Sequence, residues 1–126
     1  MHNLIPLSLA GLVSVGIILI GCFYMMSPQR VVGSFGLNPP APDPDTRAWL
    51  RLKGIRDVAA GLAVLTLMLT TDSRTVGIVL LVFAVIPFGD MSNILVSGGR
   101  KVTAFSVHGV TCAVMVFASL LLIHAV

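Results

Sequence analysis

LIPLSLAGLVSVGIILIGCFYMM, residues 4–26, carries no charged side chain. At about 1.5 Å of rise per residue, a helix of this length covers the roughly 30 Å hydrocarbon core of a bilayer. Pro6 falls in its first turn, where a missing N–H costs little. Gly11, Gly16 and Gly21 recur every five residues, so they spiral round the helix and do not form a close-packing stripe. Leu19-Ile20-Gly21-Cys22 resembles a lipoprotein processing site. No Lys or Arg precedes it, however, and a signal peptide needs a positive start, so the segment is expected to stay as a helix.

The rest of the chain agrees with this first helix. It is 56% hydrophobic and 10% charged, with glutamate absent, and its mean hydropathy is +1.01. Soluble domains carry roughly 25% charged residues, and a chain this short has no interior large enough to hide so much apolar surface. The net charge of +3 comes from basic residues in the hydrophilic breaks, with no basic stripe interleaved with aromatics, so nucleic acid is not an expected partner. Cys22 and Cys112 each sit in an apolar run and suggest no disulfide framework.

Four helices are expected, at about residues 4–26, 46–71, 75–97 and 101–124, in a single integral membrane domain spanning 1–126. A stiff loop at 38–45 holds Pro39, Pro40, Pro42 and Pro44 and ends in an Asp45-Thr46 capping signal. Val31 to Leu37 is apolar enough to lie along the interface, and Trp49 sits where an interfacial anchor belongs. The second helix is unusual: Arg47, Arg51, Lys53, Arg56 and Asp57 crowd its first half, and Val58 to Thr71 alone is too short to span. The fold class is therefore all-α, an antiparallel four-helix transmembrane bundle with the lipid bilayer as solvent. Arg30, Arg47, Arg51, Arg100 and Lys101 gather at one end, which puts both termini on the non-cytoplasmic side. His2 and His124 belong to the far interface.

An ionisable group at a helix centre costs about 2.5 to 3.5 kcal/mol on insertion scales, so each one needs a reason. Lys53, Arg56, Asp57 and Ala60 follow i, i+3, i+4, i+7 spacing on the second helix. Asp90 and Asn93 share a face of the third, beyond Pro87. His108, with Thr111 and Cys112 on its face, lies roughly 10 Å inside the fourth, and Tyr24 closes the first at comparable depth. All four helices thus contribute to one polar layer in the cytoplasmic half. The bland alternatives are an Arg56–Asp90 ion pair, a snorkelling Lys53, an Asp90 serving the backbone freed by Pro87, and a His108 hydrogen-bonded in the core. Asp57, Asp90 and His108 would make a thin metal set, opposed by Lys53 and Arg56, so no metal is expected; neither is a cofactor, since no phosphate loop or dinucleotide fingerprint occurs.

The run Lys53-Gly54-Ile55-Arg56-Asp57 with Gly61, then Pro87-Phe88-Gly89-Asp90, then His108-Gly109, resembles the domain-of-unknown-function family numbered 4267, small four-helix membrane proteins of bacteria and fungi. The family label implies the site without naming its chemistry. Small multidrug transporters are similar in length but use a first-helix glutamate, which this chain lacks. The expected function is a membrane-embedded enzyme acting by acid–base chemistry on a lipophilic small molecule, with an isomerase, cyclase or epoxide-opening type implied only by analogy to small membrane enzymes of fungal biosynthetic clusters. Asp57, Asp90 and His108 are the expected catalytic groups. Lys53, Arg56, Asn93 and Tyr24 are the expected substrate contacts. The alternatives are a proton-linked transporter or channel, for which a homodimer would help enclose a pathway, and a structural accessory subunit.

Overall fold

The computed structural model describes residues 3–124, so His2 lies outside the described residues. These residues form helices and turns, with no strand among them. In chain order they are α1 (Leu4–Met26), α2 (Pro28–Val31) with a 3₁₀ turn (Val32–Ser34), α3 (Pro44–Thr70), α4 (Ser73–Phe83), α5 (Val85–Val96), α6 (Lys101–Thr103), a π-helical turn (Ala104–Gly109) and α7 (Val110–His124). The fold class is all-α. Three helical runs, Leu4–Met26, Ser73–Val96 and Lys101–His124, are long and apolar enough to cross a membrane, which makes this a membrane protein. The outward faces carry large apolar side chains, among them Leu69 and Val96, which are 88% and 89% exposed. Such a surface suits lipid.

Each helix end has a local cause. Ser27 precedes Pro28 and leaves the helical region, at φ −143°, because a proline disfavours that region for the residue before it. The cap of α3 is Asp43, not Asp45. Its Oδ1 accepts from the Thr46 backbone N–H at 2.8 Å and its Oδ2 accepts from the Thr46 hydroxyl at 2.7 Å. Pro44, at the first helical position, extends α3 past the expected start because proline is tolerated there. Asp72 repeats the device for α4, accepting from Thr75 N at 3.0 Å and Thr75 Oγ1 at 2.7 Å. Hydrogen bonds to Thr46, backbone first, hold the Asp43 carboxyl below its usual range. The Thr75 hydroxyl and then its backbone N–H do the same for Asp72.

The α1–α3 contact is backbone to backbone. A Cβ built on Gly54 would lie 2.5 Å from the Gly21 carbonyl oxygen, and one built on Gly61 would lie 2.6 Å from that of Ser14. Since Gly54 meets Gly21 and Gly61 meets Ser14, the two helices run in opposite directions. The seam depends on small residues, as helix pairs in lipid commonly do. Gly21 thus lies in a close-packed seam opposite Gly54, while Gly11 and Gly16 take no part in it. Gly77 meets Ser119 and Leu122 in the same way, so α4 packs against α7. Ala10, Val64, Leu80, Ala118 and Leu122 form the apolar core at the end of the bundle away from the proline loop at 38–45.

Two irregularities shape the other end. Pro87 has no N–H for the Phe83 carbonyl, and the helix breaks at Ala84, whose N–H is shared between Leu80 O and Leu81 O. The π turn widens the fourth helical run at residues 104–109, ahead of α7. The stretch from Val32 to Gly36 is fastened to the α5–α6 turn. Arg100 N donates to Gly36 O at 2.8 Å and the Arg100 guanidinium donates to Gly33 O at 2.5 Å. Gly36 has φ 111° and lies against Thr103, a position that only glycine fills without strain.

Candidate functional site

Lys53 leaves α3 one residue before the Gly54 contact, so its side chain is directed along the seam beside α1. Its Nζ lies 2.5 Å from Asp57 Oδ2, one turn further along the same helix. It also sits 4.5 Å from the ring centroid of Tyr24 and 5.3 Å from that of Phe35. Two aromatic faces and one carboxylate therefore surround the ammonium group. Asp57 is 8% exposed and Tyr24 3% exposed, so both belong to the packed interior.

On the opposite wall, the π turn presents His108. Its Nε2–H donates to the Phe35 carbonyl at 3.1 Å, and its ring meets the Phe35 ring edge-on with centroids 4.7 Å apart. That donation leaves Nδ1 facing Asp90 Oδ2 at 3.6 Å. The separation is too long for a hydrogen bond but within ion-pair range when the imidazole is protonated. Phe35 links the two halves: its carbonyl orients His108 and its ring covers Lys53.

Between these walls lies a cavity of about 430 Å³. Its polar end is formed by Lys53, Tyr24, Asp90 and His108, under Ser34 and Phe35. Its apolar end runs down through Ile17, Val13, Val64, Leu80 and Met115 to the core. Gly16 also lines it, and a side chain built there would meet nothing within 4 Å. The exposed apolar side chains Ile20, Phe23, Ile86 and Val107 rim it on the lipid-facing surface. Among the described residues no three His, Cys, Asp or Glu side chains come together as a metal-binding cluster.

Of the seven side chains singled out from the sequence, four line this cavity: Lys53, Tyr24, Asp90 and His108. Asp57 stands behind Lys53, is not among the lining residues, and acts on the cavity only through that ammonium group. Arg56 is exposed and forms no ion pair with Asp90; Asp90 faces His108 instead. The reason is rotational. The inner face of α3 is centred on Gly54, Asp57 and Gly61, and a residue one position before Asp57 lies about 100° round from it. Asn93 is likewise exposed on α5, where its Oδ1 accepts from Ser97 Oγ at 3.5 Å, while its neighbour Ile94 turns inward. Thr111 lines the cavity, but its hydroxyl donates to Val107 O at 2.7 Å. Cys112 leaves it, donating weakly to Ala84 O at 3.6 Å.

Phe35 was not legible as a site residue. It lies in a loop, and its role depends on a backbone carbonyl that no side-chain pattern announces. The one signal is Gly36 beside it, followed by a proline run stiff enough to fix where the loop rests.

The family model described as Domain of unknown function (DUF4267) matches residues 14–122, a stretch that takes in every cavity-lining residue except Val13. No curated protein and no solved structure matches the chain.

Proposed function

We propose that this chain, which belongs to the DUF4267 family, is a multi-pass membrane enzyme that applies acid–base chemistry to a lipophilic small molecule. The observation that carries the reading is the His108–Asp90 pair, held 3.6 Å apart at the polar end of an otherwise apolar cavity. Asp90 and His108 are the acid and base, and Lys53 is placed to polarise a substrate oxygen. Asp57 is a positioning residue for Lys53. In the cycle, the protonated member of the pair gives its proton to one substrate atom, its partner takes a proton from another substrate atom, and that proton returns across the pair once the product has left. An isomerisation or internal cyclisation of this kind balances without a co-reactant. Four membrane passes, with α3 as the least apolar and both termini on the non-cytoplasmic side, complete the proposal.

A transport role is less well supported, because the cavity's far end is closed by apolar core rather than continued by polar groups. The test is conversion. Protein reconstituted in vesicles is incubated with a lipid-soluble cell extract, and mass spectrometry compares the parent with Asp90→Asn and His108→Ala. The expected result is a lipophilic species replaced by one of equal mass and different retention, with the parent alone. If the parent changes nothing that both variants leave alone, the acid–base reading is lost.

A further inference from the structure

Besides the Tyr24 hydroxyl, four ionisable groups lie at or just behind the polar end of the cavity, and they pair off. Lys53 and Asp57 cancel at 2.5 Å. Asp90 and His108 cancel when one proton lies between them, and carry a single negative charge when none does. Arg56, the one other cation this deep in α3, faces outward. Neither protonation state therefore offers an uncompensated positive charge to an anion. A cationic head group finds no free carboxylate while that proton is in place, since Asp57 is held by Lys53 behind the lining and Asp90 faces His108. In surroundings of low dielectric an unpaired charge is held back by its lost hydration, so this balance discriminates against charged head groups.

The shape adds a second restriction. From Tyr24 back to Val13, the lining of α1 covers about 16 Å of rise, and Gly16 opens the wall near its Val13 end. We infer that the ligand of this cavity is an elongated, uncharged lipophile with one hydrogen-bonding end group (a hydroxyl, carbonyl or epoxide oxygen) seated against Lys53, Asp90 and His108. Its chain lies along Gly16 toward Leu80. This inference deepens the enzyme reading and rests on the same cavity.

The test is photo-crosslinking in nanodiscs. Three diazirine-bearing twelve-carbon probes, an alcohol, a carboxylate and an ammonium compound, are compared at equal bilayer concentration, with labelled residues mapped by mass spectrometry. The alcohol is expected to label cavity-lining residues at least tenfold more than either charged probe. Gly16→Leu, which fills open space and removes a helix-weakening glycine, is expected to fold and to abolish that labelling. Asp57→Asn leaves the Lys53 charge uncompensated and is expected to turn the preference toward the carboxylate; should that variant not accumulate, the parent's ranking still decides. A parent that prefers the carboxylate or the ammonium probe, or alcohol labelling that survives Gly16→Leu, overturns the inference. Alcohol labelling together with no conversion in the extract assay would leave the inference standing and remove the enzyme reading.

Discussion

At the residue scale, the two carboxylates of the polar layer are expected to behave oppositely. Asp57 is buried and holds Lys53, so removing its charge leaves a cation without its partner inside the bundle. Asp57→Leu is expected to cost about 3 to 5 kcal/mol, read as a fall in melting temperature in detergent. The Asp90 side chain is 30% exposed and stands off from His108, so Asp90→Asn is expected to cost under about 1 kcal/mol while removing any turnover. If Asp90→Asn proves as destabilising as Asp57→Leu, the pair is structural. Arg56→Gln is expected to leave both stability and ligand binding unchanged. The sequence identified Lys53, Asp90, His108 and Tyr24 because an ionisable or hydroxylated side chain in an apolar run is conspicuous. Arg56 and Asn93, grouped with them by i+3 spacing, lie exposed on a flank of the inner face and do not line the cavity. The sequence had no means of seeing Phe35, whose contribution is a carbonyl.

At the element scale, the seam between α1 and α3 is more sensitive than its apolar neighbours. Gly61→Val places side-chain atoms where the Ser14 carbonyl already lies and is expected to separate the helices, at a cost of at least about 1 to 3 kcal/mol in unfolding measurements. Gly16→Leu, on the same α1 but beside the cavity, is expected to be neutral or stabilising. The helix caps give a pH dependence. Asp43 and Asp72 have carboxyls held below their usual values by Thr46 and Thr75, so what they contribute is present above the unfolded value of about 4 and is lost as pH falls through the lowered one. Circular dichroism should show the starts of α3 and α4 fraying in that acid range, and Asp43→Ala with Asp72→Ala should abolish the dependence. The sequence pointed to helices through long uncharged runs and to the α3 start through its Asp-Pro-Asp-Thr stretch. It named Asp45-Thr46 as the cap signal, whereas the cap is Asp43, which stands three residues before Thr46 and so reaches its N–H. The break at Ala84 follows from Pro87. The π turn does not follow from any residue pattern, since it depends on how the fourth run packs against α5.

At the scale of the whole molecule, the proposed orientation is open to a direct measurement. In a background with Cys22→Ala and Cys112→Ala, a cysteine at Thr71→Cys should react with an impermeant maleimide added outside the cell, and one at Ser97→Cys should not. The reverse pattern would invert the molecule. The membrane character was legible from composition alone, whereas the cavity was not, because it exists only where two irregular helices fail to close on α1. The charged first half of α3 has a consequence for biogenesis. An insertion machinery that samples one segment at a time has little reason to release α3 into lipid, with Lys53, Arg56 and Asp57 each opposing it by about 2.5 to 3.5 kcal/mol. In the proposed four-pass arrangement, α3 enters as a passenger of α1, docked along Gly21, Gly54 and Gly61. A lesion in that seam would then do more than loosen a contact: if α3 stays behind, every later segment threads with the opposite polarity, and His108 arrives on the wrong side of the membrane.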